Sequence, residues 1–121
     1  MDMVKIIPTE PKPEIPKEIK KLPESYGVDS RFEYHLVKRN ENAAVYKDKN
    51  CNSWEVFRIK VRKGRVGVIN GRWVVFPSAE CVPTDKSFGY WAFHHSSEAA
   101  AMKKFEILSK IPAGQKIPEG V

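Results

Sequence analysis

Six basic residues crowd into one short stretch of the chain. Arg58, Lys60, Arg62, Lys63, Arg65 and Arg72 lie within SWEVFRIKVRKGRVGVINGRWVVF, residues 53–76, where Glu55 is the single acid. The stretch holds +5 of a whole-chain charge of +6. Charge this local points to an anionic partner, because Arg and Lys neutralise phosphates and also complement acidic protein surfaces. Trp54 and Trp73 flank the basic residues, and an indole face can stack on an unpaired base. These eight side chains form the candidate binding site, for nucleic acid or for an acidic protein surface. The alternative is a solvated sheet face whose cations shield a strand edge from aggregation.

Other chemistry is sparse. The histidines are His35, His94 and His95, and the cysteines are Cys51 and Cys81. No CxxC is present, so neither a zinc ribbon nor a thioredoxin-type motif is available. On a strand, His94 and His95 would point to opposite faces and could not share a metal. Only Cys81 and Asp85 come from a neighbouring loop, so no metal site is expected. A Cys81 thiol beside His94 or His95 would also need an oriented base and an oxyanion donor, and nothing in the chain supplies them. GxSxG, P-loop, HExxH and dinucleotide fingerprints are missing. Gly64-Arg65-Val66-Gly67 lacks the third glycine and the helix that phosphate cradling needs. No catalytic residue and no cofactor are assigned, and a non-enzymatic binding module is expected.

The elements that must position the basic residues are legible from periodicity. Lys63-Gly64 and Asn70-Gly71 punctuate an apolar, β-branched run. Asn-Gly between alternating hydrophobics marks a hairpin, because both central residues of a type I′ turn need positive φ. Ile69 then pairs with Arg72, Val68 with Trp73 and Gly67 with Val74. Trp54–Arg62 reads as one long strand. Its Phe57, Ile59 and Val61 are expected in the core, with Arg58, Lys60 and Arg62 facing solvent. Upstream, Phe32, Tyr34 and Leu36 alternate with polar residues, Asn40–Asn42 turns the chain, and Ala43–Lys47 follows as a second strand. Phe88–His94 is a last, aromatic strand. A helix then starts at Ser96 as N-cap with Glu98 in its first turn, buries Ala101, Met102, Phe105 and Leu108, and stops before Pro112. Short strands followed by one helix make an α+β fold: an antiparallel sheet of five or six strands with a C-terminal amphipathic helix packed on it.

The chain has 121 residues, enough for one modest core. Five of its nine prolines, Pro8, Pro11, Pro13, Pro16 and Pro23, lie near the start. Proline fixes φ and removes a donor, so residues 1–29 are expected to form an extended arm. That arm is either a disordered tail or a docking segment anchored by Val4, Ile6, Ile7 and Ile15. Residues 30–111 would be the domain and residues 112–121 a proline-stiffened tail. The first 21 residues hold no apolar leader of the required length, and no run of about 18 apolar residues occurs. A cytoplasmic location, away from membranes, with Cys51 and Cys81 reduced, is the expectation.

From Phe32 to Leu108 the chain resembles small α+β proteins encoded by bacteriophages and prophages. The features that carry the likeness are YHLVKR, SWEVFRI and FPSAECVPTDKSFGYWAFHHSSEAAAMKKFEIL. They are packing positions, so the resemblance implies a phage origin and no activity. A phage-encoded inhibitor or virion accessory protein is the corresponding alternative to a nucleic-acid binder. Gly64-Arg65-Val66-Gly67 is also similar to part of the glycine-arginine motif of the WGR domain, a nucleic-acid-associated module. Phe93 through Phe105 looks like that module's closing strand and helix. Lys63 stands where the motif tryptophan would be, and the spacing to the helix is longer.

Overall fold

The computed structural model describes residues 7–29, 32–112 and 115–118. The fold is α+β, and the chain divides into two compact units. The larger comprises residues 23–60 and 82–121, the smaller residues 1–22 and 61–81.

The larger unit is a five-stranded antiparallel sheet, its strands neighbouring one another in chain order, with one α-helix. Its strands are β1 (Ser25–Asp29), β2 (Phe32–Arg39), β3 (Ala43–Asp48), β4 (Trp54–Arg58) and β9 (Ala92–His95). β1 therefore lies inside the segment expected as arm and starts five residues before the boundary placed at residue 30. A strand survives there because no proline follows Pro23 in this segment. The β2–β3 turn is held by Asn40, whose Oδ1 accepts from the Asn42 and Ala43 amides at 2.8 and 2.9 Å.

Both faces of the sheet are buried along its central strands β3 and β4, and that overturns the expected alternation along β4. All five of its residues, Trp54 to Arg58, are buried. One face packs on α1 (Glu98–Ser109). Val45, Trp54 and Val56 meet Ala101, Phe105 and Leu108, with Phe93 and Met102 at the margin. Each fully buried aliphatic side chain there contributes roughly 1.5–3 kcal/mol. The other face carries a chain of ring contacts through Tyr34, Tyr26, Tyr46, Phe57 and Trp91, with successive centroids 4.7–6.2 Å apart. Ser97, rather than Ser96, caps the helix, accepting from the Ala100 amide at 3.2 Å.

The long strand expected over 54–62 breaks at Ile59. The Ile59 amide bonds to the Asn42 carbonyl at 2.8 Å, and β5 (Lys60–Arg62) then joins a different sheet. Ile59 is half-buried and Val61 is 51% exposed, so the expected core triplet reduces to Phe57.

The smaller unit holds β6 (Arg65–Ile69), β7 (Arg72–Phe76) and β8 (Ala79–Cys81). β6 and β7 pair only with each other, and β8 pairs with β5. Described arm residues are tied to this unit. Lys20 bridges Ala79 in parallel, its amide bonding Ser78 O and its carbonyl receiving Glu80 N–H, both at 2.9 Å. Leu22 is buried, with its amide on Glu80 Oε1. Of the expected anchors, Ile15 lies against Gly64 and Ile7 is exposed, while Val4 and Ile6 fall outside the described residues. A Cβ on Gly64 would come within 2.6 Å of Ile15 Cγ2 and 2.8 Å of the Ser78 amide nitrogen, so only glycine admits this approach.

Candidate functional site

The expected basic site is divided between the two units. Trp54, Arg58 and Lys60 belong to the larger one, and Arg62, Lys63, Arg65, Arg72 and Trp73 to the smaller.

Arg58 is not a surface cation. It is 5% exposed and sits opposite Ala43 on the helix-facing side of the sheet. Its Nη2 donates to the Pro112 carbonyl, just beyond α1. Trp54 is 7% exposed in the helix-packed core, with Lys47 Nζ 5.5 Å from its ring centroid. It offers no face for stacking on a base. Lys60 is exposed, and its Nζ stands 5.1 Å from the centroid of the Trp91 ring. Periodicity missed the burial of Trp54 and Arg58 because it assumes that one sheet face is wet.

The remaining cations sit on or beside the β6–β7 hairpin. Asn70 and Gly71 close it with φ of 52° and 75°, both positive as a type I′ turn requires. The register is the expected one: Val66↔Val75, Gly67↔Val74, Val68↔Trp73 and Ile69↔Arg72, with Arg65 opposite Phe76. Cross-strand partners share a face, so Arg65, Gly67, Ile69, Arg72, Val74 and Phe76 line one side. Val66, Val68, Trp73 and Val75 line the other. Arg65 and Arg72 are exposed. The Arg65 guanidinium lies 4.6 Å from the centroid of the Phe76 ring. Trp73 is on the opposite side from both arginines and donates its indole N–H to the Glu10 carbonyl at 2.9 Å. Arg62 and Lys63, both exposed, lead into β6. Among the described residues, none of these four cations has a carboxylate within ion-pair distance.

A second cluster carried no sequence signal beyond its residue types. On the tyrosine face of the larger unit, Tyr26 O–H donates to Glu55 Oε2, and the nearby Tyr34 hydroxyl also favours the charged form of that carboxyl. Across the β4–β9 register Glu55 faces His94, whose Nε2 bonds Ser53 Oγ. Burial pushes the Glu55 carboxyl above its ordinary range, against the opposing effect of the two tyrosine hydroxyls. Burial, with Glu55 alongside, pushes the Tyr34 hydroxyl up to about 12 and Tyr26 further still. An imidazole on a serine hydroxyl can take its proton, but a nucleophile also needs its base oriented and an oxyanion donor. Glu55 is committed to the tyrosines, and Ser53 is 8% exposed. His95 points to the helix face, opposite Trp54, where burial lowers its pKa. Among the described residues, no group of three His, Cys, Asp or Glu side chains is placed to hold a metal, and no helix is long and apolar enough to cross a membrane. Cys51 and Cys81 are free thiols.

Comparison with protein-family models, with curated proteins and with solved structures finds no match to this chain.

Proposed function

We propose that this chain is a small non-enzymatic binding module that engages nucleic acid through the basic hairpin of its smaller unit. One observation carries the reading. Arg62, Lys63, Arg65 and Arg72 are all exposed, and no described carboxylate pairs with any of them. Residues 61–81 hold these four cations against one acid, Glu80. Cations left unpaired on a surface are available to displace counterions from a phosphate backbone.

The test is fluorescence anisotropy with short oligonucleotides over a range of salt. Four phosphate contacts give a slope of log K against log salt of about −3 to −4. No binding at low salt overturns the proposal. A second reading, contact with an acidic protein surface, is favoured by Val68 and Ile69 near the hairpin tip, which are 37% and 51% exposed. Nuclease-resistant recovery of one stoichiometric acidic partner would support it over the first.

A further inference from the structure

We infer that the β6–β7 hairpin is a duplex reader, placing its Arg65/Arg72 face in the major groove of DNA. This deepens the nucleic-acid reading above and rests on it. Three features of the hairpin carry the inference.

Its architecture is that of a two-stranded ribbon. β6 and β7 pair in unbroken register through five residue pairs and belong to no larger sheet. The major groove of B-form DNA is about 12 Å wide and admits such a ribbon.

The second feature is the layout of the basic face. Arg65 stands in the first pair of the ladder and Arg72 in the last, on opposite strands. Four steps at about 3.4 Å place their Cα atoms roughly 14 Å apart along the ribbon. The middle pair is Gly67 and Val74, both half-buried. Gly67 brings no side chain of its own, and the Phe76 ring reaches to within 3.7 Å of where its Cβ would sit. The middle of the face is therefore shallow and apolar, lined by Val74 and the edge of Phe76, with an arginine at each end. An apolar middle suits contact with thymine methyl groups, while each guanidinium can fork onto a guanine edge or a phosphate.

The third feature concerns aromatic rings, and it separates duplex from single strand. Binding of single strands draws on open rings that stack with bases. Trp54 is in the core, Trp73 is on the far face and bonded to Glu10, and Phe76 is covered by the Arg65 guanidinium. The Arg65/Arg72 face offers cations without an open stacking platform. Duplex RNA fits poorly too, because its major groove is deep and narrow.

The experiment compares a mixed-sequence DNA duplex, the same sequence as an RNA duplex, and one of its DNA strands, each with the full chain. The DNA duplex should bind about tenfold or more tightly than the other two, a difference of about 1.4 kcal/mol. At saturation, guanine N7 atoms, which lie in the major groove, should be protected from methylation. Gly67→Leu keeps every charge and a permitted backbone but raises a bulky side chain beside Phe76 in the middle of the face. It should remove the duplex preference, with a thermal melt confirming that it folds. Arg65→Gln with Arg72→Gln should weaken duplex binding at least tenfold. Equal binding of all three nucleic acids, or unprotected N7 at saturation, overturns groove insertion and leaves the nucleic-acid reading standing. Binding to none of them overturns both.

Discussion

The Tyr26 hydroxyl donates to Oε2 of Glu55 across two intervening strands, joining the edge strand β1 to β4. The bond supplies a partner to a carboxyl that is only 8% exposed. Tyr26→Phe removes that donor and leaves the carboxylate short of a partner. It should cost about 1.5–3 kcal/mol at neutral pH in urea unfolding. A loss near zero would show that the bond adds nothing to the fold.

Glu55 also sets a pH dependence whose sign follows from its environment. Burial raises its folded pKa above the ordinary value of 4.5. A raised carboxyl contributes stability that is fully present below the unfolded pKa and is lost as pH rises through the folded one. Asp48 is shifted the other way, chiefly by the Asn50 amide, so its contribution is lost on acidification. Comparing wild type with Glu55→Gln isolates the first effect. The stability of wild type relative to the variant should fall as pH is raised from 4 to 8. A relative rise over that window would contradict the assignment.

Arg58 should behave as a core residue. Its guanidinium holds the Pro112 carbonyl from a buried position beside α1. Arg58→Ala should cost about 1.5–3 kcal/mol, the range for a hydrogen bond to a charged group. DNA affinity of the folded variant should stay within about twofold, below the tenfold that marks a lost 1.4 kcal/mol contact. A normal melt with lost binding would return Arg58 to the binding face.

The Asn70-Gly71 turn should control the hairpin. Gly71 has φ of 75°, where a β-branched residue is strained. Gly71→Val should cost about 1–3 kcal/mol locally, seen as faster amide exchange in β6 and β7 and weaker DNA binding. Asn70→Gly should leave both unchanged. Unaltered exchange in Gly71→Val would mean that the ladder does not depend on its turn.

Cys51 is exposed, yet its thiol should alkylate slowly. The S–H donates to Asp48 Oδ2 at 3.1 Å, and this pushes its pKa up. The thiolate is the nucleophile, so raising the pKa lowers reactivity. Asp48→Asn should accelerate modification by iodoacetamide at pH 8, followed by mass spectrometry. Equal rates in the two proteins would remove the carboxylate as the cause.

Much of the architecture follows from short-range chemistry alone. The α+β class, the Asn70-Gly71 turn and its register, and the helix face of Ala101, Phe105 and Leu108 are readable from residue types at fixed spacing. Turn geometry and helical periodicity are local properties, so local patterns report them. Which side chains meet across the fold is not local. The second buried face of the sheet turned Arg58 and Trp54 inward, although their positions in the alternation read as solvent-facing. The break at Ile59 moved Arg62 into a different unit from Arg58. The pairing of Glu55 with Tyr26, and of Ser53 with His94, needs strands brought together from 29 and 41 residues apart. Alternation records that two faces exist. Only the tertiary structure decides whether water reaches each of them, because that depends on what else the chain packs there.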